Sequence, residues 1–360
     1  VFEYLSVNGL RAAPARMRRK QLVSDAPMMP TDRDVPEGHR DKLLQGVGHM
    51  SPLMVARKVK RSEVERSPDA RAAVDKEWDK LMNVPHPDKK GKGTWDMSKV
   101  QESRTVREYH RNKGITAHFG SIAELCFQKG AELDDGDPLK VFKGRHVFLG
   151  DQVRDQDFDW ATFQDLGSSP PTMEAARSLD AYSRFAGFIQ KQSDAFSAYT
   201  QSFLGGGRGK GTPCFVSIPR HRWPKEWEGK YTNPVVPLIL ALYGHPDAGG
   251  FWEAHCEEQV KACGWVKIDG WQSVFWHPQT KSLLVIYVDD FKMAAPAEHS
   301  DKLWADLSKR IVLDPPTDPD RFLGCYMEEF EATVGDMECI LRNAPARHPR
   351  GQDEPTPMNL

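Results

Sequence analysis

Two adjacent aspartates, Asp289 and Asp290, close a run that reads Leu283-Leu284-Val285-Ile286-Tyr287-Val288. Charged carboxylates at the end of an apolar strand are costly unless they are paired or bound to a cation. A tight strand–turn–strand hairpin is a rigid mount for such a pair; the plainer reading is a polar turn, which Asp also favours. A third carboxylate, Asp194, stands on another strand candidate, in Ser193-Asp194-Ala195-Phe196-Ser197-Ala198-Tyr199. Three acids from two neighbouring strands suit a pair of Mg²⁺ ions, which take hard oxygen ligands and complete their shells with phosphates and water. Two such ions, about 3.5–4 Å apart, clamp the attacking and leaving oxygens of an in-line phosphoryl transfer. The chemistry predicted is therefore metal-assisted phosphoryl transfer with Asp194, Asp289 and Asp290 as ligands, Mn²⁺ being a substitute for Mg²⁺.

The elements that must position these acids are partly legible. Residues 1–70, rich in Pro, Arg, Asp and Gly, are expected to be weakly ordered. A catalytic region is expected over 71–335, and 336–360 reads as tail. Ala73, Val74, Trp78, Leu81 and Met82 recur at helical spacing within Ala72–Met82. Between Thr94 and Gly150 the chain reads as short strands mixed with helices, with a strand over Val141–Leu149. Beyond Pro170-Pro171-Thr172 a helix is predicted, in which Met173, Ala176, Leu179, Tyr182, Phe185, Ala186 and Ile189 recur at three- and four-residue steps. Ser193–Leu204 reads as a strand entering a turn at Gly205-Gly206-Gly207, followed by loop with a short strand at Cys214–Ile218. Gly250–Ala262 and Ala297–Arg310 read as helices, and Ser273–Trp276 with Leu283–Tyr287 as a hairpin across His277–Thr280. Helices interspersed with antiparallel strands predict an α+β architecture.

The 360 residues are enough for two domains or one large one. Hydrophobic residues make up 39 %, and no apolar run approaches the roughly 18 residues that span a bilayer. No basic stretch followed by an apolar one opens the chain, so no signal peptide is expected. The six cysteines show no C-x-x-C pairing, and His255, Cys256 and Cys263 fall in a predicted helix, where packing explains them. A net charge of −2 hides basic clusters at Arg16–Lys20, Arg57–Arg61 and Lys89–Lys92. Each alone reads as solvated linker charge; together they permit contact with nucleic acid. Gly205–Gly211 imitates a phosphate loop, but Leu204 and Gly211 stand where that motif requires Gly and Ser or Thr, so a flexible turn is predicted.

Several segments, in order, resemble the reverse transcriptases of copia-type retrotransposons. Tyr287-Val288-Asp289-Asp290 is similar to their Y-x-D-D box, and Asp194 with Ala198-Tyr199 to their first carboxylate box. Ala241-Leu242-Tyr243-Gly244, Trp252 in the next helix and Phe322-Leu323-Gly324 resemble further signatures of the same subgroup. Glu77-Trp78, Gly93-Thr94-Trp95 and Lys143-Gly144-Arg145-His146-Val147 resemble the upstream part. The resemblance covers residues 72–330; the segments are specific in combination and weak singly.

The resemblance implies a reverse-transcriptase fingers-and-palm fold, its antiparallel palm sheet packed on helices. It implies an RNA-directed DNA polymerase acting on an RNA template, a DNA primer and dNTPs. Asp194 and Asp289 would bridge two Mg²⁺ ions and Asp290 complete the cluster. Tyr199 would lie under the incoming sugar beside Tyr287, and Lys143 and Arg145 would hold the triphosphate; a core aromatic and a basic strand edge are the plainer readings of Tyr199 and of the two cations. Where the family carries Gln, this chain has Asp247, an anion expected to face the nucleotide. RNase H and integrase are the expected companion domains of the polyprotein, and neither pattern occurs here, so a fragment of a longer chain is expected. Cytoplasmic virus-like particles, with access to the nucleus, are the implied location. The alternative is an inactive relic or domesticated protein that keeps the fold and binds nucleic acid or a protein partner.

Overall fold

The computed structural model describes residues 56–163, 170–323 and 325–327. All belong to one compact unit, Met54–Leu360. Most of the expected loose segment and the whole expected tail lie outside the described residues. Within 56–70 the chain already forms β1 (Arg57–Lys58), α1 (Arg61–Arg66) and the start of α2 (Pro68–Asn83). The Ser67 hydroxyl caps α2 by accepting from Ala70 N at 3.3 Å, and Pro68 takes the first turn, where a missing N–H costs nothing.

Next come β2 (Gln101–Glu102), α3 (Ser103–Lys113), β3 (His118–Lys129) and β4 (Val141–Phe148). The mixture of short strands predicted here is instead dominated by one 12-residue strand, β3. It pairs with β4 along eight residues on one side, and its first four residues pair parallel to β6 (Cys214–Ser217) on the other. With β7 (Pro234–Pro237), β1 and β2 these strands make a six-stranded sheet. A strand shared between two partners has neighbours from distant sequence, so local pattern does not show its length.

The second sheet has the order β5-β11-β10-β9-β8 and is antiparallel throughout. It comprises β5 (Phe188–Asp194), β8 (Val266–Lys267), β9 (Val274–His277), β10 (Ser282–Tyr287) and β11 (Asp290–Pro296). Helices cover both faces. On one, Leu284, Ile286, Phe291 and Met293 pack on Trp252, Cys256 and Val260 of α5 (Ala248–Ala262) and on Leu303, Trp304 and Leu307 of α6 (Ala297–Ser308). On the other, Leu283, Val285 and Ala294 pack on Ala175, Ala176 and Leu179 of α4 (Met173–Tyr182). Burial on both faces is why β10 reads as an unbroken apolar run rather than an alternation. Phe322, in the small hairpin of β12 (Arg321–Phe322) and β13 (Cys325–Tyr326), adds to the α4 side. The mixed α+β class is as the sequence predicts, and no helix among the described residues is long and apolar enough to cross a membrane.

Two elements differ from expectation. The helix after Thr172 stops at Tyr182 instead of running on to Ile189. Gly187, at φ +83°, turns the chain, and Ile189 joins β5 opposite Ala295. The strand predicted over Ser193–Leu204 ends at Asp194. Beyond it Ser197 adopts φ +53° and Ala198–Gln201 forms a 3₁₀ turn. In the first place a strand pairing wins over local periodicity, because the ladder satisfies backbone groups that a longer helix would leave at the sheet edge.

Lys292 of β11 is 1 % exposed, and its ammonium bonds the Asp180 carboxylate of α4 at 2.5 Å. Breaking a fully buried pair costs roughly 3–5 kcal/mol. Asp180 is 27 % exposed and also accepts from Gln190, so Lys292→Met is expected to cost less, about 2–3 kcal/mol. Urea unfolding measures this, and a loss below about 0.5 kcal/mol would remove the pair from the forces holding α4 on the sheet.

Candidate active site

β10 and β11 meet at a two-residue loop, Val288-Asp289, closed by the pair Tyr287↔Asp290. Only the first loop residue, Val288, has a positive φ, +55°. That pattern marks a type II′ turn, whose first position favours Gly. A β-branched side chain there stores strain of order 1–3 kcal/mol, which persists only where the surroundings enforce it. The enforcing contact comes from buried α5, where the Trp252 indole N–H donates to Val288 O at 2.6 Å. The same turn is tied to β5, since Ala195 N donates to Asp289 O at 2.6 Å.

The register of β5 against β11 sets Asp194 directly opposite Asp290. Directly opposed residues of an antiparallel pair share a face, so the two carboxyl groups meet, and Asp289 adjoins them at the turn. Burial, then the Asp289 charge and then Asp194, push the Asp290 carboxyl up to about 6. Burial raises Asp194 as well, followed by the charges of Asp289 and Asp314. Asp194 and Asp290 share a hydrogen bond, which needs a proton on one of them. Asp289 is exposed to solvent. Among the described residues no group of three or more His, Cys, Asp or Glu side chains is arranged so that it could hold a metal ion as it stands. Neighbouring carboxyl groups resist being ionised together, and Arg321 offsets only part of this at Asp290. The donor set suits Mg²⁺, an oxygen-seeking ion that keeps several waters and needs few protein ligands. The repulsion among these acids is what a divalent cation would relieve.

Folding raises the Asp290 pKa, so between about pH 4 and pH 6 the folded chain holds more protons than the unfolded one. Stability therefore falls as pH rises through that window, and the cost is complete above it. Asp290 is partly exposed, and discounting for solvent leaves about 1–2 kcal/mol. In buffer free of divalent metal, Asp290→Asn is expected to stabilise the protein by that amount at pH 7.5 and to change little at pH 4. An equal gain at both pH values would rule out charge repulsion as its cause.

Aromatic side chains lie beside the acids, and the basic residues expected at the site lie on β4. Tyr199, on the 3₁₀ turn after β5, lies 5.7 Å from Tyr243 between ring centroids. Burial raises the Tyr199 phenol pKa, and Tyr243, Asp289 and Tyr287 raise it further, so all four sit within electrostatic reach. Tyr287 is half-buried and packs toward α4. Lys143 and Arg145 lie on β4, both half-buried. Burial lowers the Lys143 pKa, and neighbouring Arg145, Lys129 and Lys80 add to the effect against Glu77. Lys80 of α2 stands 4.4 Å over the ring of Phe196, two residues past Asp194 in the chain.

Asp247 departs from expectation. It is 5 % exposed, at the N-cap of α5, and its charge acts on His118. The anion predicted to face a nucleotide is thus turned into the protein, beside His118 and His245.

The other segments singled out in the sequence acquire physical roles. Gly244 has φ +91°, and a Cβ there would sit 2.1 Å from Phe148 O. This close approach seats Ala241-Leu242-Tyr243 against the end of β4, where Phe148 N donates to Tyr243 O at 2.8 Å. Arg321, just before Phe322-Leu323-Gly324, lowers the Asp290 pKa against the acids that raise it. Tyr243 and Arg321 were not among the expected site residues, although both adjoin motifs legible in the sequence. Asp314 carried no signal, being placed only when its N–H bonds Asp194 O at 2.9 Å. No protein-family model matches this chain, and no curated protein matches it.

Proposed function

We propose that this chain is the fingers-and-palm core of a copia-type reverse transcriptase, an RNA-directed DNA polymerase. The five-stranded sheet is read as the palm and the six-stranded sheet, with α2 and α3, as the fingers. The observation that carries the reading is the direct opposition of Asp194 and Asp290 across β5 and β11, with Asp289 held beside them in a strained turn. A register that sets two acids face to face destabilises the fold, and structures retain such a cost where function needs it.

Asp194, Asp289 and Asp290 would hold two Mg²⁺ ions, which supply charge neutralisation to an in-line phosphoryl transfer. In the reaction a primer 3′-OH bonds to the α-phosphorus of a dNTP while the bond to pyrophosphate breaks. Lys143 and Arg145 are suited to the triphosphate, because fixed cations stabilise developing phosphate charge without reorganising. The Tyr199–Tyr243 pair forms an aromatic wall beside Asp289, placed to pack against a deoxyribose and to crowd a 2′-OH. The inward orientation of Asp247 removes an anion from the triphosphate's path.

Primer extension on an RNA template with dNTPs and Mg²⁺ tests the proposal. Extension is expected, with rNTPs used poorly. A protein that binds template–primer yet extends nothing with Mg²⁺ or Mn²⁺ would favour the inactive-relic reading.

A further inference from the structure

Two basic motifs play no part in the site above, the loop over residues 85–93 (Pro-His-Pro-Asp-Lys-Lys-Gly-Lys-Gly) and the loop over residues 204–211 (Leu-Gly-Gly-Gly-Arg-Gly-Lys-Gly). The fold joins them. The Arg208 guanidinium grips Asp88 with two hydrogen bonds, of 2.6 and 2.8 Å. Its Nη2 also lies 2.7 Å from His86 Nδ1, while His86 Nε2 lies 2.9 Å from Gly93 O. With Nε2 donating to the carbonyl, Nδ1 is free to accept from Arg208. Gly91 makes this possible, since a Cβ there would sit 2.8 Å from His86 Nδ1. Gly205 lets the second loop fold on itself, because a Cβ there would sit 2.2 Å from Lys210 O.

Asp88 is the sole acid in the two loops, and Arg208 engages both its oxygens. Lys89, Lys90, Lys92 and Lys210 are exposed around this clamp, and Lys92 donates to the neutral Asn83 amide oxygen at 2.7 Å. Gly206 and Gly209 are exposed, with open space where a Cβ would stand, so their backbone is accessible to an anion. The patch continues into the candidate site. The Phe203 ring lies under the Arg208 guanidinium at 5.1 Å and beside His86 at 5.8 Å. Ser202, adjoining it, bonds back to Tyr199 O at 2.9 Å.

We propose that these two loops, locked together by Arg208, form one surface that holds the phosphodiester backbone of a single-stranded nucleic acid beside the carboxylate site. Four lysines on small, glycine-rich loops make a surface of point charges and bare backbone, with no apolar anchor of the kind a protein partner would use. Arg208 is a positioning residue, its own charge being spent on Asp88. The choice of nucleic acid as the ligand rests on the polymerase reading; the surface itself stands on the charge geometry.

The test is binding of the full chain to a fluorescent 20-nucleotide oligouridylate, followed by anisotropy over a salt series in EDTA without nucleotides. The patch variant carries Lys89→Gln, Lys90→Gln, Lys92→Gln and Lys210→Gln. A control removes equal charge from the α5–α6 side through Lys261→Gln, Lys302→Gln, Lys309→Gln and Arg310→Gln. Four lost phosphate contacts, at a slope of about 0.7 each, lower the salt slope by about 3 and the affinity on the order of 100-fold at 0.1 M salt in the patch variant alone. Equal losses in both variants, or a patch variant within twofold of the parent, would overturn the proposal. So would a patch variant that loses affinity for polyglutamate while keeping it for the oligonucleotide, since that result marks an acidic protein as the partner. A melting temperature matching the parent's confirms that the variant is folded. Because no metal or dNTP is present, binding reads the patch separately from polymerisation: extension with intact patch-variant binding defeats this inference alone, and patch-dependent binding without extension defeats the polymerase reading alone.

Discussion

Replacing Asp289 by Asn is expected to reduce primer extension on the order of 10³-fold or more while leaving the fold intact. Asn keeps the shape of the side chain and removes its charge. Asp289 is exposed, and its hydrogen bond to β5 runs through its backbone carbonyl, accepting from Ala195 N, so the substitution leaves that link in place. On the proposed function the effect should therefore lie in catalysis, with template–primer affinity nearly unchanged, since that affinity would come from backbone phosphate contacts elsewhere. Single-turnover extension beside a thermal melt separates the two quantities. Activity within about tenfold of the parent at an unchanged melting temperature would remove Asp289 from the metal-binding set. Asp290→Asn should behave differently. Both carboxylates belong to the cluster, yet the partly buried one carries the folding cost, so its replacement should trade activity for stability.

Gly244→Ala is expected to destabilise the chain by about 3–4 kcal/mol, more than the loss of the Lys292–Asp180 pair. Two penalties add. At φ +91° any side chain is strained, and the new Cβ would meet Phe148 O at 2.1 Å, a backbone atom held in β4 that cannot rotate away. Gly150 faces the same junction, where a Cβ would sit 2.3 Å from Gly244 O. Relief requires the loop ahead of α5 to part from β4, carrying Tyr243 away from Tyr199. Gly229→Ala serves as comparison: its φ is +74°, but nothing lies within 4 Å of the added Cβ. It should cost only about 1 kcal/mol. Urea unfolding of both variants checks this, and equal losses would mean that the backbone angle, rather than the close approach, accounts for the glycine in the Ala-Leu-Tyr-Gly segment.

Part of this organisation was legible in the sequence because its causes are local. The run from Leu283 to Ile286 is apolar at every position since both faces of β10 are buried, and the following Asp289-Asp290 pair marks the turn. Helices α2, α5 and α6 show themselves through the spacing of Val74, Trp252, Cys256, Leu303 and Leu307, all of which are buried. Thr172, next to Pro171, caps α4 with its side-chain oxygen, accepting from Ala175 N at 3.2 Å. Where local preference and packing agree, residue order is enough.

The arrangement of the candidate site was decided by tertiary structure. Asp194 was legible as an acid on a strand, but that strand ends with it instead of starting near it, and only the register against β11 sets it opposite Asp290. Register has a two-residue period and no partner written into it, so pairing is chosen by which faces can be buried together. Asp247 shows the same limit from the other side: its place in the motif implied an anion facing the nucleotide, whereas it is 5 % exposed and its charge acts on His118. The two glycine–lysine loops read as separate flexible turns until Arg208 met Asp88 and His86, 120 and 122 residues away in the chain. Contacts of that span leave no periodic trace in a sequence, because their energy depends on which distant elements share a core rather than on neighbouring residues.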